Sequence, residues 1–298
     1  MTTQNKGLLV GRASQQNLYI WLIVLQSILY GIMDIITKLA YQDMNAYCFL
    51  FLRYILATMI MLVLWHKDIF AELRKVHIRH YIVPGLCMAT AFIFSNVALL
   101  FTAATNMSFI RSLSALIAPL LALLFFKQKY GKKEPVLQFA MLIGLYLLCA
   151  KGGLGQVGLG ELLAFIAASL VAGSLVFGKT SLEYISAKTL SFVQTILAVF
   201  FCGIAALCTG SIQDAIYANS LTMMLYLLYA AIGCTIVGYM LQNIALEHIS
   251  AKQVGMIQCL YPIATAVAAF IVLGEMLSPA GIIGAIIITA CVLLENAL

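Results

Sequence analysis

The residues best suited to chemistry in this chain are two charged side chains, Arg111 and Asp34, that lie inside long apolar stretches. Arg111 stands in the run Phe109-Ile-Arg-Ser-Leu113, with no acidic residue within one helical turn. An ionisable group inside a membrane span costs at least about 2.5–3.5 kcal/mol, so it needs a partner or a function. The guanidinium fork suits a carboxylate or phosphate, which predicts a bound substrate anion. The alternatives are a structural partner such as Asp34, or a side chain that extends towards the headgroups.

Asp34 has a structural and a functional interpretation. Lys38 follows it by four residues, the spacing at which opposite charges pair along a helix. A local salt bridge between the two is the structural interpretation. The functional one is that Asp34 binds a substrate amine or a coupling proton. For Arg53, near the start of the next apolar stretch, the sequence favours a structural role.

Uncharged polar side chains in apolar stretches form a second group of candidates. With Arg111 and Asp34 they make up the predicted substrate site: Asn96, Tyr239, Asn243, Gln258 and Tyr261. For each of them the structural alternative is an interhelical hydrogen bond, worth about 0.6 kcal/mol on average.

Catalytic residues, metal ligands and cofactors are not predicted. The sequence lacks a glycine-rich phosphate loop and a His-Glu-x-x-His motif. Its eight cysteines form no Cys-x-x-Cys pair and its four histidines lie in loops. The protein is therefore not expected to be an enzyme.

These candidates belong to a chain whose composition indicates a membrane protein. Of its 298 residues 63% are apolar and 9% are charged, against about 45–50% and about 25% in soluble proteins. A bilayer core needs roughly 20 apolar residues per helix, and lipid cannot satisfy an irregular backbone. The sequence therefore predicts an all-α polytopic membrane protein with ten transmembrane helices. They lie near 17–40, 46–65, 81–101, 106–126, 135–150, 158–178, 188–208, 221–245, 252–273 and 279–296.

The basic residues predict the orientation of these helices. If the N-terminus is inside, all but four of the 17 Lys and Arg residues fall in or beside inside segments. Residues 1–16 then form a cytoplasmic segment, and both termini are cytoplasmic. Short loops and the lack of a targeting extension favour the cytoplasmic (inner) membrane of a bacterium. Because the net charge of +6 is spread over short loops, no nucleic-acid partner is expected.

The two halves of the chain repeat with an offset of 147 residues. The shift superposes Asn96-Val-Ala-Leu99 on Asn243-Ile-Ala-Leu246 and pairs Arg111 with Gln258. Five helices per half is an odd number, so the second half enters the membrane in the opposite sense. The sequence predicts two inverted five-helix repeats, 17–150 and 151–298, with the substrate between them near the midplane.

Three short motifs carry a resemblance to a known family. They are Tyr30-Gly31 followed by Lys38, Phe51-Leu-Arg53-Tyr54, and Tyr261-Pro262 followed by Gly274-Glu275-Met-Leu277. Their order and spacing resemble the EamA-like members of the drug/metabolite transporter superfamily. The first repeat departs from the pattern, with Lys127-Gln128-Lys129 where Gly-Glu is common. The resemblance implies substrate exchange by alternating access, through a central cavity lined mainly by helices one, three, four, six, eight and nine.

The leading hypothesis is a secondary transporter of a small polar metabolite, such as an amino acid, an amino-acid derivative or another zwitterion or organic anion. The alternative is efflux of drugs or amines by the same fold, for which Asp34 matters and Arg111 does not. An intramembrane enzyme would need clustered His, Asp or Glu at the lipid boundary, which the sequence lacks. The expected partners are a small-molecule substrate, the lipid bilayer and a coupling proton, and the protein is expected to be a monomer or a homodimer.

Overall fold

The fold is all-helical throughout the part of the chain that the structure describes. A computed structural model describes residues 3–102, 104–127, 134–149, 158–274, 276 and 278–297. The α-helices are α1 (Thr3–Asp43), α2 (Ala46–Lys75), α3 (Ile82–Ala98), α4 (Ala104–Ser112), α5 (Ser114–Phe126), α6 (Glu134–Cys149), α7 (Leu159–Ser181), α8 (Ala187–Cys208), α9 (Leu221–Leu228), α10 (Gly238–His248), α11 (Ala251–Gln258), α12 (Tyr261–Leu273) and α13 (Pro279–Ala297). Two 3₁₀ segments, Ile78–His80 and Ser211–Asn219, and a π-helix, Tyr229–Val237, lie between them.

Lengths and surfaces of these helices suit a multi-pass membrane protein. Seven helical stretches are long and apolar enough to cross a bilayer: Gln16–Asp43, Ala46–Lys75, Phe109–Phe126, Leu159–Ser181, Ala187–Cys208, Leu221–His248 and Ala251–Val272. Three shorter apolar helices, Ile82–Ala98, Pro135–Leu148 and Pro279–Leu294, lie where the sequence predicts the third, fifth and tenth spans. Large apolar side chains such as Trp21 and Leu124 are exposed, as contact with lipid requires.

Two of the predicted transmembrane helices are broken in the structure. The predicted span 106–126 divides at Leu113 into α4 and α5, and the predicted span 252–273 divides at Leu260 into α11 and α12. At both breaks the N–H donates three residues back, to Ile110 and Ile257 at 3.0 Å, which makes a single 3₁₀ turn. Pro262 lies in the first turn of α12, a position that suits proline because its missing N–H is not needed there.

Helices α5 and α12 also end alike. Each is followed by a residue in the left-handed region, Lys127 with φ of 51° and Gly274 with φ of 69°. Both residues donate their backbone N–H to carbonyls of the preceding turn. Glycine adopts this conformation without steric cost, whereas a side chain such as that of Lys127 adds strain. Lys127 is the one non-glycine residue with positive φ in the described ranges.

Helix α1 brings polar groups into the interior of the bundle. It contacts α10, α11 and α12, while α3 packs on α7, α2 on α8 and α6 on α13. The side chains of Gln26, Ser27 and Asp34 are all buried on α1, with at most 8% of their surface exposed. Because lipid supplies no hydrophobic force between helices, close packing and polar contacts hold such a bundle together.

Candidate functional site

Asp34 is held by α12, not by its neighbour on α1. The hydroxyl of Tyr261 donates to Oδ2 of Asp34, and Oγ1 of Thr265 lies 3.4 Å from the same oxygen. Tyr261 and Thr265 are one turn apart on α12, so they approach the carboxylate from one helix face. The local ion pair with Lys38 is not formed in the structure, in which Lys38 is exposed. That structural interpretation of Asp34 is therefore wrong.

Gly31 allows this contact between α1 and α12. A Cβ atom at this position would lie 2.6 Å from the backbone nitrogen of Thr265 and from Cβ of Ala264. Only glycine lets the two backbones come so close, since carbon atoms pack best at about 3.5–4.0 Å. Asp34 lies almost one turn beyond Gly31, which places its carboxylate opposite Tyr261 and Thr265.

The guanidinium group of Arg111 lies among three aromatic rings. Its central carbon is 4.9 Å from the ring centroid of Phe92, 5.1 Å from that of Tyr261 and 5.5 Å from that of Tyr30. Each such contact is worth about 0.5–2 kcal/mol, more when it is desolvated. No ion pair within 4.0 Å joins Arg111 to Asp34 among the described side chains. The rings stabilise the cation and leave its charge without a bound carboxylate.

Arg53 lines the charged part of the site, although the sequence favours only a structural role for it. It is 2% exposed, and its Nε donates to Oγ1 of Thr235 at 2.8 Å. Thr235 belongs to the π-helix, and its hydroxyl also lies 3.0 Å from the carbonyl oxygen of Ala230, five residues back. The wider π turn thus directs Thr235 towards Arg53. Nη2 of Arg53 is buried and has no hydrogen-bond partner. The cost of burying a charge inside a span was the signal for Arg53, as it was for Arg111.

Two cavities meet at these residues. The charged cavity is lined by Asp34, Arg53, Arg111 and also by Ser95 and Asn96, among others. The amide cavity is lined by Gln26, Gln242 and Gln258 with Ser27, Ser112 and Ser114, among others. Tyr30, Arg111 and Tyr261 line both cavities and form their common wall. Arg111 and Gln258, which the 147-residue offset pairs, face the same amide cavity.

The formal charge of this site is positive. Arg53 and Arg111 carry one positive charge each and Asp34 carries one negative charge, and the other described lining residues of both cavities are uncharged. The ionised groups therefore sum to +1 when Asp34 is deprotonated. An anion about 4 Å from a guanidinium gains about 4 kcal/mol at an effective dielectric constant of about 20. The arrangement favours an anion, or a zwitterion bound through its carboxylate.

Three glutamine side chains join in the wall of the amide cavity. Nε2 of Gln26 donates to the carbonyl oxygen of Gly238 at 3.1 Å and to Oε1 of Gln242 at 3.0 Å. Nε2 of Gln258 donates to Oε1 of Gln26 at 3.0 Å and to Oε1 of Gln242 at 2.9 Å. Nε2 of Gln242 is buried without a partner. Gln258 was predicted from the sequence as a site residue but Gln26 was not, because an isolated glutamine in α1 gives no sign of these partners.

The remaining predicted site residues contact the two cavities to different degrees. Asn96 lines the charged cavity, where its amide donates to the carbonyl of Phe92 at 2.7 Å and accepts from Tyr41 at 3.0 Å. Tyr239 and Asn243 line neither cavity. Asn243 donates to Ser191 and Gln194 of α8, the interhelical bonding that the sequence left open as its structural role. The centroid of the Tyr239 ring lies 5.5 Å from that of Phe92, which lines the charged cavity.

A sequence comparison decides what this buried, positively charged site belongs to. The model of the EamA-like transporter family matches residues 17–150 and 158–296. The chain belongs to the EamA-like transporter family. Members of that family are transporters, so the transport assignment is confirmed at this level. Within the residues the structure describes, no three His, Cys, Asp or Glu side chains are grouped to hold a metal ion.

Individual relatives agree with this assignment over most of the EamA-like chain. Two proteins of Archaeoglobus fulgidus, each named an uncharacterized transporter, are similar to it. One is 23% identical over 274 residues, which is 92% of this chain and 84% of the relative. The other is 26% identical over 288 residues, 93% of this chain and 96% of the relative. A solved crystal structure superposes with a TM-score of 0.76 over 93% of this chain and 96% of its own, and at 14% identity this likeness shows the fold alone.

Proposed function

We propose that this EamA-like protein is a secondary transporter that moves a small organic anion or zwitterion across the cytoplasmic membrane by alternating access. The observation that carries the proposal is a pair of arginines, the buried Arg53 and the partly exposed Arg111, around a cavity whose described lining has a single carboxylate, Asp34. Charges buried at such cost are expected to act on a ligand or an ion. A substrate carboxylate would complete the hydrogen bonds of Arg53 and be attracted by Arg111.

The proposal includes ten spans in two inverted five-helix repeats, with both termini cytoplasmic. In its support, Ser114–Phe126 and Tyr261–Leu273 are separated by 147 residues at both ends, the offset that the sequence predicts. The breaks before these helices and the left-handed residues after them keep the same offset. Each helix also contacts the short helix before the other, α5 with α11 and α12 with α4. The family model matching once in each half agrees with this arrangement.

Alternating access requires that one end of the cavity is closed in each state. On the side predicted to be cytoplasmic, the N-terminus of α8 holds two carboxylates from other helices. Glu72 accepts from the backbone N–H and hydroxyl of Ser186 at 2.9 and 3.0 Å, and Glu247 accepts from the N–H of Ala187 at 2.9 Å. Lys179 donates to two carbonyls at the end of α10 at 2.8 and 3.0 Å. These contacts join α2, α7, α8 and α10, and we assign them to the closed cytoplasmic gate.

Efflux of organic amines is the second candidate function, and Asp34 is the observation in its favour. Its carboxylate lines the charged cavity beside the rings of Tyr30 and Tyr261, which suit a bound cation. However, Arg111 already occupies those ring faces, and a cation would enter a site with formal charge +1. Charge thus favours the anion or zwitterion.

Ligand-induced thermal stabilisation distinguishes the two functions. Wild-type protein, Arg111→Ala and the control Arg74→Ala, whose side chain is exposed at the end of α2, are each mixed with amino acids, organic anions or amines. A ligand at a hundredfold excess over its Kd adds about 2.7 kcal/mol. We expect carboxylates to stabilise wild type and Arg74→Ala, with affinity falling roughly 10–100-fold in Arg111→Ala, the worth of one charged hydrogen bond. Amines that stabilise all three proteins equally would instead support amine efflux.

The coupling ion is proposed to be a proton carried by Asp34. In proteoliposomes, Asp34→Asn would then retain exchange of substrate across the membrane but lose accumulation driven by a pH gradient. Exchange and accumulation reduced to the same extent would show that Asp34 is needed for binding and would contradict the coupling role.

A further inference from the structure

The two cavities differ in chemistry, and so do the buried hydrogen-bonding groups in their described linings that have no partner. In the charged cavity these groups include Nη2 of Arg53, which is 2% exposed. In the amide cavity they include Nε2 of Gln242, also on a side chain that is 2% exposed. The hydroxyl of Tyr30, in the wall common to both cavities, has no partner either. A buried polar group without a partner is unfavourable, so a donor of this kind in a cavity wall favours a ligand atom that accepts its hydrogen bond.

The orientation of Gln242 follows from a backbone group, which cannot be flipped. The carbonyl oxygen of Gly238 accepts only, so the atom of Gln26 that lies 3.1 Å from it must be Nε2. The same Nε2 lies 3.0 Å from Gln242, so the atom of Gln242 that it meets must be the acceptor Oε1. Oε1 also accepts from Gln258. The atom of Gln242 left over is therefore a donor, and its missing partner is an acceptor.

A guanidinium has donors only, so the missing partner of Arg53 is an acceptor as well. Ser95, 4% exposed, lines the same cavity, and its hydroxyl has no partner either. With Arg111 beside it, this end of the site suits a carboxylate. The amide cavity has no ionised lining residue except Arg111 in the common wall, so its unpaired donor suits a neutral acceptor.

We propose that the site binds an elongated organic anion by both ends, with a carboxylate between Arg53 and Arg111 in the charged cavity and a neutral carbonyl or hydroxyl oxygen on Gln242 in the amide cavity. The middle of the molecule passes the common wall of Tyr30, Arg111 and Tyr261. This inference rests on the proposed function, and it adds a substrate class: monocarboxylates that carry a neutral hydrogen-bond acceptor at the far end.

Three series of probes of matched chain length test the proposal. They are monomethyl esters of dicarboxylic acids, the corresponding alkanoates, and the corresponding alcohols. Dissociation constants are measured by thermal stabilisation and by inhibition of substrate exchange in proteoliposomes. We expect the best ester acid to bind roughly 10-fold more tightly than its alkanoate, since one hydrogen bond to a buried donor is worth about 1.5 kcal/mol. The alkanoates should bind more tightly than the alcohols.

Two substitutions test the two ends of the proposed binding site separately. Gln242→Glu keeps acceptors for Gln26 and Gln258 but removes the donor. The ratio of the binding affinity of the ester acid to that of its alkanoate (the ester-to-alkanoate ratio) should therefore fall to one or below. Arg53→Gln should reduce the alkanoate-to-alcohol preference and preserve the ester-to-alkanoate ratio. Arg53→Lys, which retains the charge, serves if Arg53→Gln does not fold. Gln213→Glu and Arg74→Gln make the same chemical changes at exposed positions and should leave both ratios at their wild-type values.

The possible results are distinct. An ester-to-alkanoate ratio near one in wild type, or a raised ratio that Gln242→Glu leaves unchanged, overturns the two-ended site while transport of carboxylates stands. Binding of amines without binding of any carboxylate overturns the proposed function together with this inference.

Discussion

Replacing Gly31 by alanine tests whether the approach of α1 to α12 builds the site. The added Cβ would lie 2.6 Å from Cβ of Ala264 and from the nitrogen of Thr265, and 2.7 Å from the carbonyl carbon of Ala264. Two of these three atoms belong to the backbone and cannot rotate away. Because carbon contacts are comfortable at about 3.5–4.0 Å, α12 has to retreat by roughly 1 Å.

The size of the effect follows from two opposing terms. Overpacking in an interior costs about 1–3 kcal/mol, and alanine in place of a helical glycine returns up to about 1 kcal/mol. We expect a net loss of about 1–2 kcal/mol in apparent unfolding free energy. The retreat also affects Asp34, because its 3.4 Å contact with Thr265 would exceed hydrogen-bond distance. Gly31→Ala should therefore weaken binding of the substrate carboxylate as well.

Denaturant titration and carboxylate-induced thermal shifts measure both consequences. The matched control is Gly233→Ala, where the nearest atom would lie at an ordinary 3.5 Å, in the ring of Tyr229. The control should be neutral or slightly stabilising. If Gly31→Ala matches the control in stability and in ligand response, α1 and α12 are not in close contact and the derivation of the site from Gly31 is wrong.

Three further substitutions test local features of the fold in the same denaturant titration. Lys127→Gly should raise the apparent unfolding free energy by up to about 1 kcal/mol, since glycine adopts the left-handed backbone conformation of this position without steric strain. A decrease would contradict that conformation. Glu72→Gln should lower it by about 1 kcal/mol, because the charge at the N-terminus of α8 and its bonds to Ser186 are weakened. An unchanged value would argue against the assigned gate contact. Lys188→Ala should have no measurable effect although Lys188 lies 2.6 Å from Asp68, because that pair is exposed to solvent.

The class of the protein and part of its site could be predicted from residues alone. Arg111 and Asp34 stood out because charge is rare in apolar stretches, and the structure places both in the wall of one cavity. The 147-residue offset between the halves paired Arg111 with Gln258, and in the structure both residues line the amide cavity. Arg53 was given a structural role because it lies near the start of an apolar stretch, and its distance from the other charges along the chain carries no information about their distance in space.

Partners of the site residues could not be derived in the same way. Lys38 lies one turn from Asp34 in the sequence, yet Tyr261, 227 residues away, bonds to the carboxylate. Likewise Gln26 and Gln242 are 216 residues apart and 3.0 Å distant. The break at Leu113 and the π-helix were also missed, since their residues form uninterrupted apolar sequence.

The sequence by itself determined that the chain crosses a membrane as a set of helices, because hydrophobicity over roughly 20 residues is a local property that lipid selects directly. It also determined the offset between the halves and the presence of costly buried charges. The tertiary structure decided which of those charges meet, which donors remain unpaired and how the wall between the two cavities is built. These features depend on how closely helix faces approach, at Gly31 above all, and packing of distant segments sets that approach.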